Sequence, residues 1–166
     1  MSLNDEVVVV YTDGSCLANG KGSAAKAGYS VFFSEGDPRN VSEPIVGDKH
    51  TNNVGELTAV VVAMEKADPN KPLLIISDSK YVILGLVGDE KTKPWHHAWQ
   101  NNGWRNAKRK PVENRALWER LIAISKKRRF RIKWQKAHSG QVGNEAADRM
   151  AKSGAYRAKQ KDAIKY

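Results

Sequence analysis

Short apolar runs alternate with segments whose apolar residues recur at helical spacing, a pattern typical of an α/β domain. Residues 7–12 (VVVVYT) are apolar and mostly β-branched, which predicts a central strand covered on both faces and ending at Asp13-Gly14. Two further strands are expected over residues 29–34 and 41–46. Turn-forming residues at 36–38 (GDP) separate them, so this pair should form a hairpin.

The remaining elements continue the alternation. A helix is predicted from residue 51 or 52 to Asp68-Pro69, and the apolar run 73–76 after it should form a strand parallel to the first. The other expected elements are a short helix over 81–87, a helix over 114–127 and a strand with one covered face over 130–135. A last helix should end at Gly154 as its C-cap, and the basic residues after Tyr156 should form a loosely held tail.

Composition narrows the class of protein. The chain has 166 residues, of which 40% are hydrophobic and 28% charged, as in a single globular domain. We expect one domain over residues 1–156, a basic C-terminal tail over 157–166, and a monomer. The lone Cys16 excludes an intramolecular disulfide. No apolar run could span a bilayer and no secretory leader is recognisable, so we expect no membrane partner and a cytoplasmic location, with the nucleus or an organelle left open.

The distribution of charge points to a polyanionic partner. The net charge is +10, yet residues 1–90 carry 7 basic and 13 acidic side chains, whereas residues 91–166 carry 21 basic and 5 acidic ones. Such a basic half is an electrostatic footprint for nucleic acid, with an anionic membrane surface as the second interpretation. Basic residues and tryptophans are interleaved from 95 to 110, which indicates a basic aromatic excursion from the main fold.

Four carboxylates occupy positions at strand ends and helix faces that are suited to an active site. Asp13 and Asp78 directly follow apolar strands, and α/β sheets bind ligands at the carboxyl ends of their strands. The ordinary explanation for Asp13-Gly14 is a turn, and that for Asp78-Ser79 is a helix N-cap. Glu56 and Asp148 border the apolar faces of their helices. The ordinary explanation for Glu56 is a favourable contact with the helix dipole, and that for Asp148 is a surface ion pair with Lys152. If the four converge, cations must neutralise them, and oxygen-only ligands suit Mg2+ or Mn2+. An acidic site in a basic protein predicts phosphodiester chemistry with two such ions.

A set of spaced motifs resembles a known family. The motifs are Tyr11-Thr12-Asp13-Gly14-Ser15, Thr51-Asn52-Asn53 with Glu56, Ser77-Asp78-Ser79, and His138-Ser139-Gly140 followed by Gly143-Asn144-Glu145 and Asp148. In this order the sequence resembles ribonuclease H of type 1 from about residue 7 to residue 154. The segment at about 95–111 is similar to the basic handle of the cellular and bacterial members.

The resemblance implies a fold and a reaction. The fold would be α/β and RNase H-like, a five-stranded mixed sheet whose first three strands are antiparallel, with helices on both faces. The reaction would be endonucleolytic hydrolysis of the RNA strand of an RNA/DNA hybrid by two-metal-ion catalysis, leaving 5'-phosphate and 3'-hydroxyl ends. Two Mg2+ ions, with Mn2+ as a substitute, would be held by Asp13, Glu56, Asp78 and Asp148. His138 matches the family's mobile histidine, which assists proton transfer or product release.

The resemblance also implies contacts with nucleic acid. The positions that face the minor groove of the hybrid are Cys16, Asn19, Asn52 and Asn53. The pocket for a DNA phosphate matches Thr51 and Asn114, with Lys49 as a charge partner. The DNA channel and the basic handle match Tyr81, Trp95, Trp99, Trp104, Lys108, Arg109 and Lys110.

The chain departs from the family pattern in three places. Gly55 precedes Glu56 where alanine or a larger residue is usual, which should loosen the first helical turn. Ala137 replaces the glycine before the histidine, which should restrict the loop, and the stretch 20–27 is longer and richer in Lys and Ala. Two other functions stay open: a hybrid-binding module without catalysis, and a domain detached from a reverse transcriptase or a relative that acts on DNA.

Overall fold

The computed structural model describes residues 6–164, with side chains up to residue 161. In chain order the elements are β1 Val8–Leu17, β2 Lys26–Phe32, β3 Val41–Pro44, α1 Asn52–Lys66, β4 Leu73–Ser77, α2 Lys80–Leu86, α3 Trp95–Asn101, α4 Arg115–Ser125, β5 Phe130–Trp134 and α5 Val142–Ile164. Among the described residues, no helix combines the length and apolar character needed to cross a membrane.

The five strands form one mixed sheet in the order β3-β2-β1-β4-β5. The first three strands pair antiparallel, and β4 pairs parallel with both β1 and β5. The expected hairpin and the expected parallel pairing are thus confirmed. In the β1–β4 register Thr12 lies opposite Ser77, so the next residue of each strand, Asp13 and Asp78, emerges at the same edge of the sheet.

Helices cover both faces of the sheet because neighbouring residues of a strand point in opposite directions. Val31 packs into the main core with Leu57 of α1 and Trp118 of α4. The next residue, Phe32, packs on the other face against Ala146 and Ala147 of α5. The predicted two-sided architecture is therefore confirmed.

Strand β1 differs from its prediction in length and in coverage. It continues beyond Asp13-Gly14 to Leu17, since its antiparallel pairing with β2 extends as far as Leu17 opposite Lys26. Its first half is not covered on both faces, because the Val9 side chain is 38% exposed. The tertiary pairing with β2 overrides the turn preference of Asp-Gly.

Helix α5 contradicts the predicted helix end at Gly154. It runs to Ile164, so the described residues after Tyr156 are helical and not a loose tail. Gly154 lies against strand β3, where an added Cβ would stand 2.5 Å from the carbonyl oxygen of Glu43. This glycine therefore permits close helix-sheet packing instead of capping the helix. Beyond it, the Arg157 guanidinium donates to the Ser42 hydroxyl at 2.9 Å, which holds the extension onto the sheet.

Candidate active site

Three carboxylates converge at the edge of the sheet where β1 and β4 are parallel. Asp13 lies within β1, Asp78 directly follows β4, and Glu56 lies in the first half of α1. Each offers an oxygen, and these oxygens all lie within 4.8 Å of one another. Asp13 is only 6% exposed, and Oε2 of Glu56 is buried without a hydrogen-bond partner. A largely buried cluster of oxygen ligands, one of them without a hydrogen-bond partner, fits a hard divalent cation.

Two glycines bring α1 close enough for Glu56 to reach Asp13. An added Cβ on Gly14 would stand 2.4 Å from the Glu56 backbone nitrogen. An added Cβ on Gly55 would stand 2.9 Å from the Gly28 carbonyl oxygen. The first turn is intact, since the Thr51 hydroxyl caps it, so Gly55 serves close packing and the expected loosening is not seen. A larger residue at either position would push the two carboxylates apart.

Asp78 is held by the elements on both sides of it. Ser79 caps α2 by accepting a hydrogen bond from the Val82 N–H at 3.2 Å, so the N-cap is Ser79 and not Asp78. The indole N–H of Trp134, at the end of β5, donates to the Asp78 carbonyl oxygen at 3.2 Å. The Asp78 carboxylate is thereby left to point at the cluster.

The electrostatics of the cluster disfavour charge in the absence of a cation. Burial, and then the charges of Asp78 and Asp148, raise the pKa of Asp13 to about 8. Burial and the Asp13 charge hold the pKa of Glu56 well above its usual range, and burial also raises the pKa of Asp78. These shifts arise from desolvation and like-charge repulsion, which a bound cation would relieve.

Asp148 stands beside the cluster and not within it. It is half-buried on α5 and lies outside the group of three, yet its charge is close enough to raise the pKa of Asp13. Its Oδ2 also lies 3.0 Å from Nζ of Lys152. The surface pair considered for Asp148 therefore exists together with its proximity to the site.

His138 lies in the loop between β5 and α5. The residue is exposed and takes a left-handed conformation with φ of 56°. Ala137 itself is not among the residues with positive φ, so no glycine is required there. The loop is braced where Nε2 of Gln135 donates to the Ser139 hydroxyl at 2.9 Å.

Two of the three residues matched to a phosphate pocket line one cleft beside α1 and α4, and the third, Thr51, caps α1 two residues after Lys49. Lys49 and Asn114 both line this cleft. Nζ of Lys49 lies 3.8 Å from Glu113, the neighbour of Asn114. Asn114 takes φ of 61° and donates to the Tyr81 hydroxyl at 3.3 Å. The Thr51 hydroxyl accepts the Val54 N–H at 3.1 Å, which leaves its own proton free to reach a phosphate.

The residues matched to the minor groove lie between β1 and the start of α1. Asn19 accepts a hydrogen bond from the Asn52 N–H at 3.1 Å, and Asn52 and Asn53 are exposed at the helix start. Cys16 is half-buried, and burial raises the pKa of its thiol, so the thiol stays protonated at neutral pH. The structure thus brings these four positions into one neighbourhood.

The handle is anchored by a cluster of aromatic rings that pack at a tilt or edge-on. Trp99 is only 8% exposed and packs edge-on against Trp118, with ring centroids 5.2 Å apart. Trp95 and Trp104 are half-buried at the edge of the same core, and the Tyr81 ring packs at a tilt against Trp95, with centroids 6.1 Å apart. The burial of Trp99 places most of its ring in the core, where it supports the handle, and its contact with nucleic acid stays a prediction.

The basic tip of the handle projects into solvent. Residues 108–110 are exposed, and the Asn106 side chain accepts the backbone N–H groups of Lys108 and Lys110 at 2.9 and 3.0 Å. Arg109 takes φ of 60° at the turn. Asn106 therefore shapes the loop that presents the three cations.

Two residues that organise this region are not predicted by the sequence pattern. Trp134 is predicted only as part of a strand, and spacing gives no sign of its hydrogen bond to Asp78. His50 directly precedes the Thr51-Asn52-Asn53 motif, but no motif includes it. The one available signal was this adjacency, because side-chain to backbone bonds across 23 residues, as between His50 and Ala27, have no sequence signature.

Comparisons with known proteins identify the class to which this α/β fold and its carboxylate cluster belong. The family model described as RNase H matches residues 5–156. The ribonuclease H of Bradyrhizobium diazoefficiens is 38% identical over 154 residues, which cover 92% of each chain. The chain belongs to the ribonuclease H family.

Solved structures agree with this assignment. The crystal structure of LC9-RNase H1, a type 1 RNase H with the type 2 active-site motif, gives a TM-score of 0.69 at 25% identity, covering 95% of this chain and 76% of that one. The foamy viral protease-reverse transcriptase in complex with an RNA/DNA hybrid gives a TM-score of 0.68 at 30% identity, covering 90% of this chain and 20% of that one. The expected family and fold are confirmed.

Proposed function

We propose a set of catalytic residues and a metal requirement for this ribonuclease H, an endoribonuclease that cleaves the RNA of RNA/DNA hybrids. The carboxylates of Asp13, Glu56, Asp78 and Asp148 hold two divalent cations, Mg2+ by preference and Mn2+ as a substitute. The observation that carries this proposal is the convergence of three carboxylate oxygens within 4.8 Å in a site where burial disfavours their charge. Oxygen-only ligands favour these ions over softer metals.

The resemblance to ribonuclease H of type 1 suggests a division of labour among these carboxylates. Asp13 would contribute to holding both ions, Glu56 and Asp78 would hold the ion that stabilises the leaving 3' oxygen, and Asp148 would help hold the ion that activates water. When bound, ions of this kind would activate the attacking water and stabilise the leaving oxygen. His138, on its exposed loop, assists proton transfer or product release. The products carry 5'-phosphate and 3'-hydroxyl ends.

The cleft and the handle hold the hybrid. Thr51, Asn114 and Lys49 bind a phosphate of the DNA strand, while the asparagines at the start of α1 face the minor groove, where 2'-hydroxyls distinguish RNA. The exposed cations of the handle tip add contacts that do not depend on sequence. The foamy viral relative, solved with a hybrid, supports this substrate class.

We further infer that the chain acts as a monomer in the cytoplasm, with residues 1–156 as the catalytic domain and residues 157–166 as a basic extension. The family match over residues 5–156 supports this division. Residues 165–166 lie outside the described part of the chain.

Cleavage of an end-labelled RNA/DNA hybrid tests the proposal. The assay compares Mg2+, Mn2+ and chelator, with duplex DNA and duplex RNA as alternative substrates. We expect metal-dependent cutting of the RNA strand alone, lost in Asp13→Asn while hybrid binding survives. Asp89→Asn is the matched control, because Asp89 is an exposed acid in a surface turn. This variant should cleave the hybrid normally. Full cleavage by Asp13→Asn, in a preparation free of host nuclease, contradicts the carboxylate site, and tight binding without cutting by the unmodified chain favours a binding module.

A further inference from the structure

His50 lies in the loop between strand β3 and helix α1, beside the residues proposed to contact the hybrid. Strand β3 ends at Pro44, opposite Gly28, so the preceding residue of β2, Ala27, has no strand partner on that side. Ala27 is fully buried. Its carbonyl oxygen accepts the Ile45 N–H at 2.9 Å, and its N–H donates to Nδ1 of His50 at 2.8 Å. The imidazole thus accepts the backbone hydrogen bond that a neighbouring strand would otherwise accept.

Both nitrogens of the His50 ring are committed to backbone groups. Nε2 lies 2.9 Å from the Gly47 carbonyl oxygen, which can only accept a hydrogen bond. The Ala27 N–H can only donate, so Nδ1 must carry a lone pair. The two bonds together require the neutral ring with its proton on Nε2. A ring used in this way closes the turn from Gly47 to His50 and ties it to β2.

The same residue connects to the positions that meet the hybrid. The His50 carbonyl oxygen accepts a weak hydrogen bond from the Cys16 thiol at 3.6 Å. Lys49 precedes His50, and Thr51 follows it as the cap of α1. The next residue, Asn52, is bonded to Asn19 at 3.1 Å. Residue 50 is therefore the point through which β1, β2 and the start of α1 are joined on the substrate side.

We propose that His50 is a positioning residue for nucleic-acid binding. Its Nε2-protonated ring holds the segment 47–52 so that Lys49, Thr51 and Asn52 meet the hybrid in one fixed arrangement. The carboxylates do not depend on it, because Glu56 is placed by the packing of Gly14 against α1. His50 therefore sets affinity and not the rate of the chemical step. This inference rests on the proposed nucleic-acid contacts.

Three substitutions separate the two bonds of the ring. His50→Asn keeps an acceptor near the position of Nδ1, His50→Gln keeps a donor near the position of Nε2, and His50→Ala keeps neither. We expect His50→Ala to raise KM about tenfold with kcat within about twofold, since a buried N–H is left unpaired and the segment loosens. Asn should recover most of the lost affinity, because the buried Ala27 N–H is the costlier group to leave unpaired. Val7→Ala is the control, since the Val7 side chain is 51% exposed before the start of β1 and lies outside both the segment 47–52 and the cleft that Lys49 lines.

Two readouts keep the test independent of cleavage and of folding. The Kd for a hybrid, measured in the non-cleaving Asp13→Asn background, should rise in parallel with KM. In the unmodified protein, long-range nitrogen NMR should show His50 with its proton on Nε2. The inference is overturned by a proton on Nδ1, by a fall in kcat at unchanged KM, by unchanged KM and Kd in His50→Ala, or by His50→Asn binding as poorly as His50→Ala. Failure of the unmodified chain to cleave a hybrid would count against the proposed function instead.

Discussion

Replacement of Asp13 by asparagine should stabilise the metal-free protein while it abolishes cleavage. The side chain is 6% exposed, and its pKa is raised from 3.8 to about 8. Asparagine removes the buried charge, and its side-chain oxygen can still accept the Gly14 N–H, which bonds Oδ1 of Asp13 at 2.9 Å. The variant therefore removes repulsion without removing the local hydrogen bond.

The magnitude follows from linkage between proton binding and folding. A carboxyl whose folded pKa is raised binds its proton more tightly in the folded state, so its stabilising effect is complete below pH 3.8 and is lost as the pH rises to about 8. At pH 7 the loss amounts to about 4 kcal/mol, at roughly 1.4 kcal/mol per pKa unit. Structural relaxation and water entry lower this figure, so we expect Asp13→Asn to gain ~2–4 kcal/mol at pH 7 and almost nothing near pH 4.

The assay is thermal and urea unfolding in chelator at pH 5, 7 and 8. A gain of this size corresponds to a rise in Tm of about 5–15 °C for a chain of this length. Asp37→Asn is the control of opposite sign, because hydrogen bonds from Arg39 lower the pKa of Asp37 to about 2. Added Mg2+ should stabilise the unmodified protein more than Asp13→Asn. An Asp13→Asn variant with no pH-dependent gain would refute the claim that buried, mutually repelling carboxylates form the site.

Three other predictions test the packing and the nucleic-acid surface. Gly28→Ala should lower the free energy of unfolding by about 1–3 kcal/mol or more, because its Cβ would stand 2.2 Å from the Ala155 backbone nitrogen in α5; unaltered urea unfolding would contradict this close approach. Replacing Lys108, Arg109 and Lys110 with glutamine should weaken hybrid binding and leave kcat at saturation unchanged. The slope of log K for hybrid binding against log salt concentration should decrease in magnitude by up to about 0.9 per lost phosphate contact. Neutralising Lys159 and Lys161 in the α5 extension should weaken binding mainly at low salt, and an unchanged salt dependence would reject a phosphate-binding role for the extension.

Residue types and their order predicted much of the site. Asp13 and Asp78 follow apolar runs, and a helix between two strands favours a parallel pair, so their meeting at one sheet edge could be expected. The motifs around Glu56 and His138 added a family resemblance, which the comparisons confirm. What spacing could not provide was the distance from Glu56 to Asp13, which depends on a near contact between two backbones at Gly14 and Gly55.

Local sequence signals failed where distant contacts outweighed them. Asp-Gly after an apolar run predicts a turn, but pairing with β2 carries β1 on to Leu17. Glycine near a helix end predicts a cap, but Gly154 is held inside α5 by its packing against β3. The basic composition around Trp99 gave no sign that its ring packs into the core beside Trp118.

The sequence by itself determined the alternation of strands and helices, the charge polarity of the chain and the carboxylates available for chemistry, because these depend on residue types and local periodicity. Only the tertiary structure decided which glycines allow backbones to touch, how far β1 and α5 extend, and which side chains brace the site, as His50 and Trp134 do. These features depend on contacts between residues far apart in the chain, and such contacts exist only once the sheet and its helices have packed together.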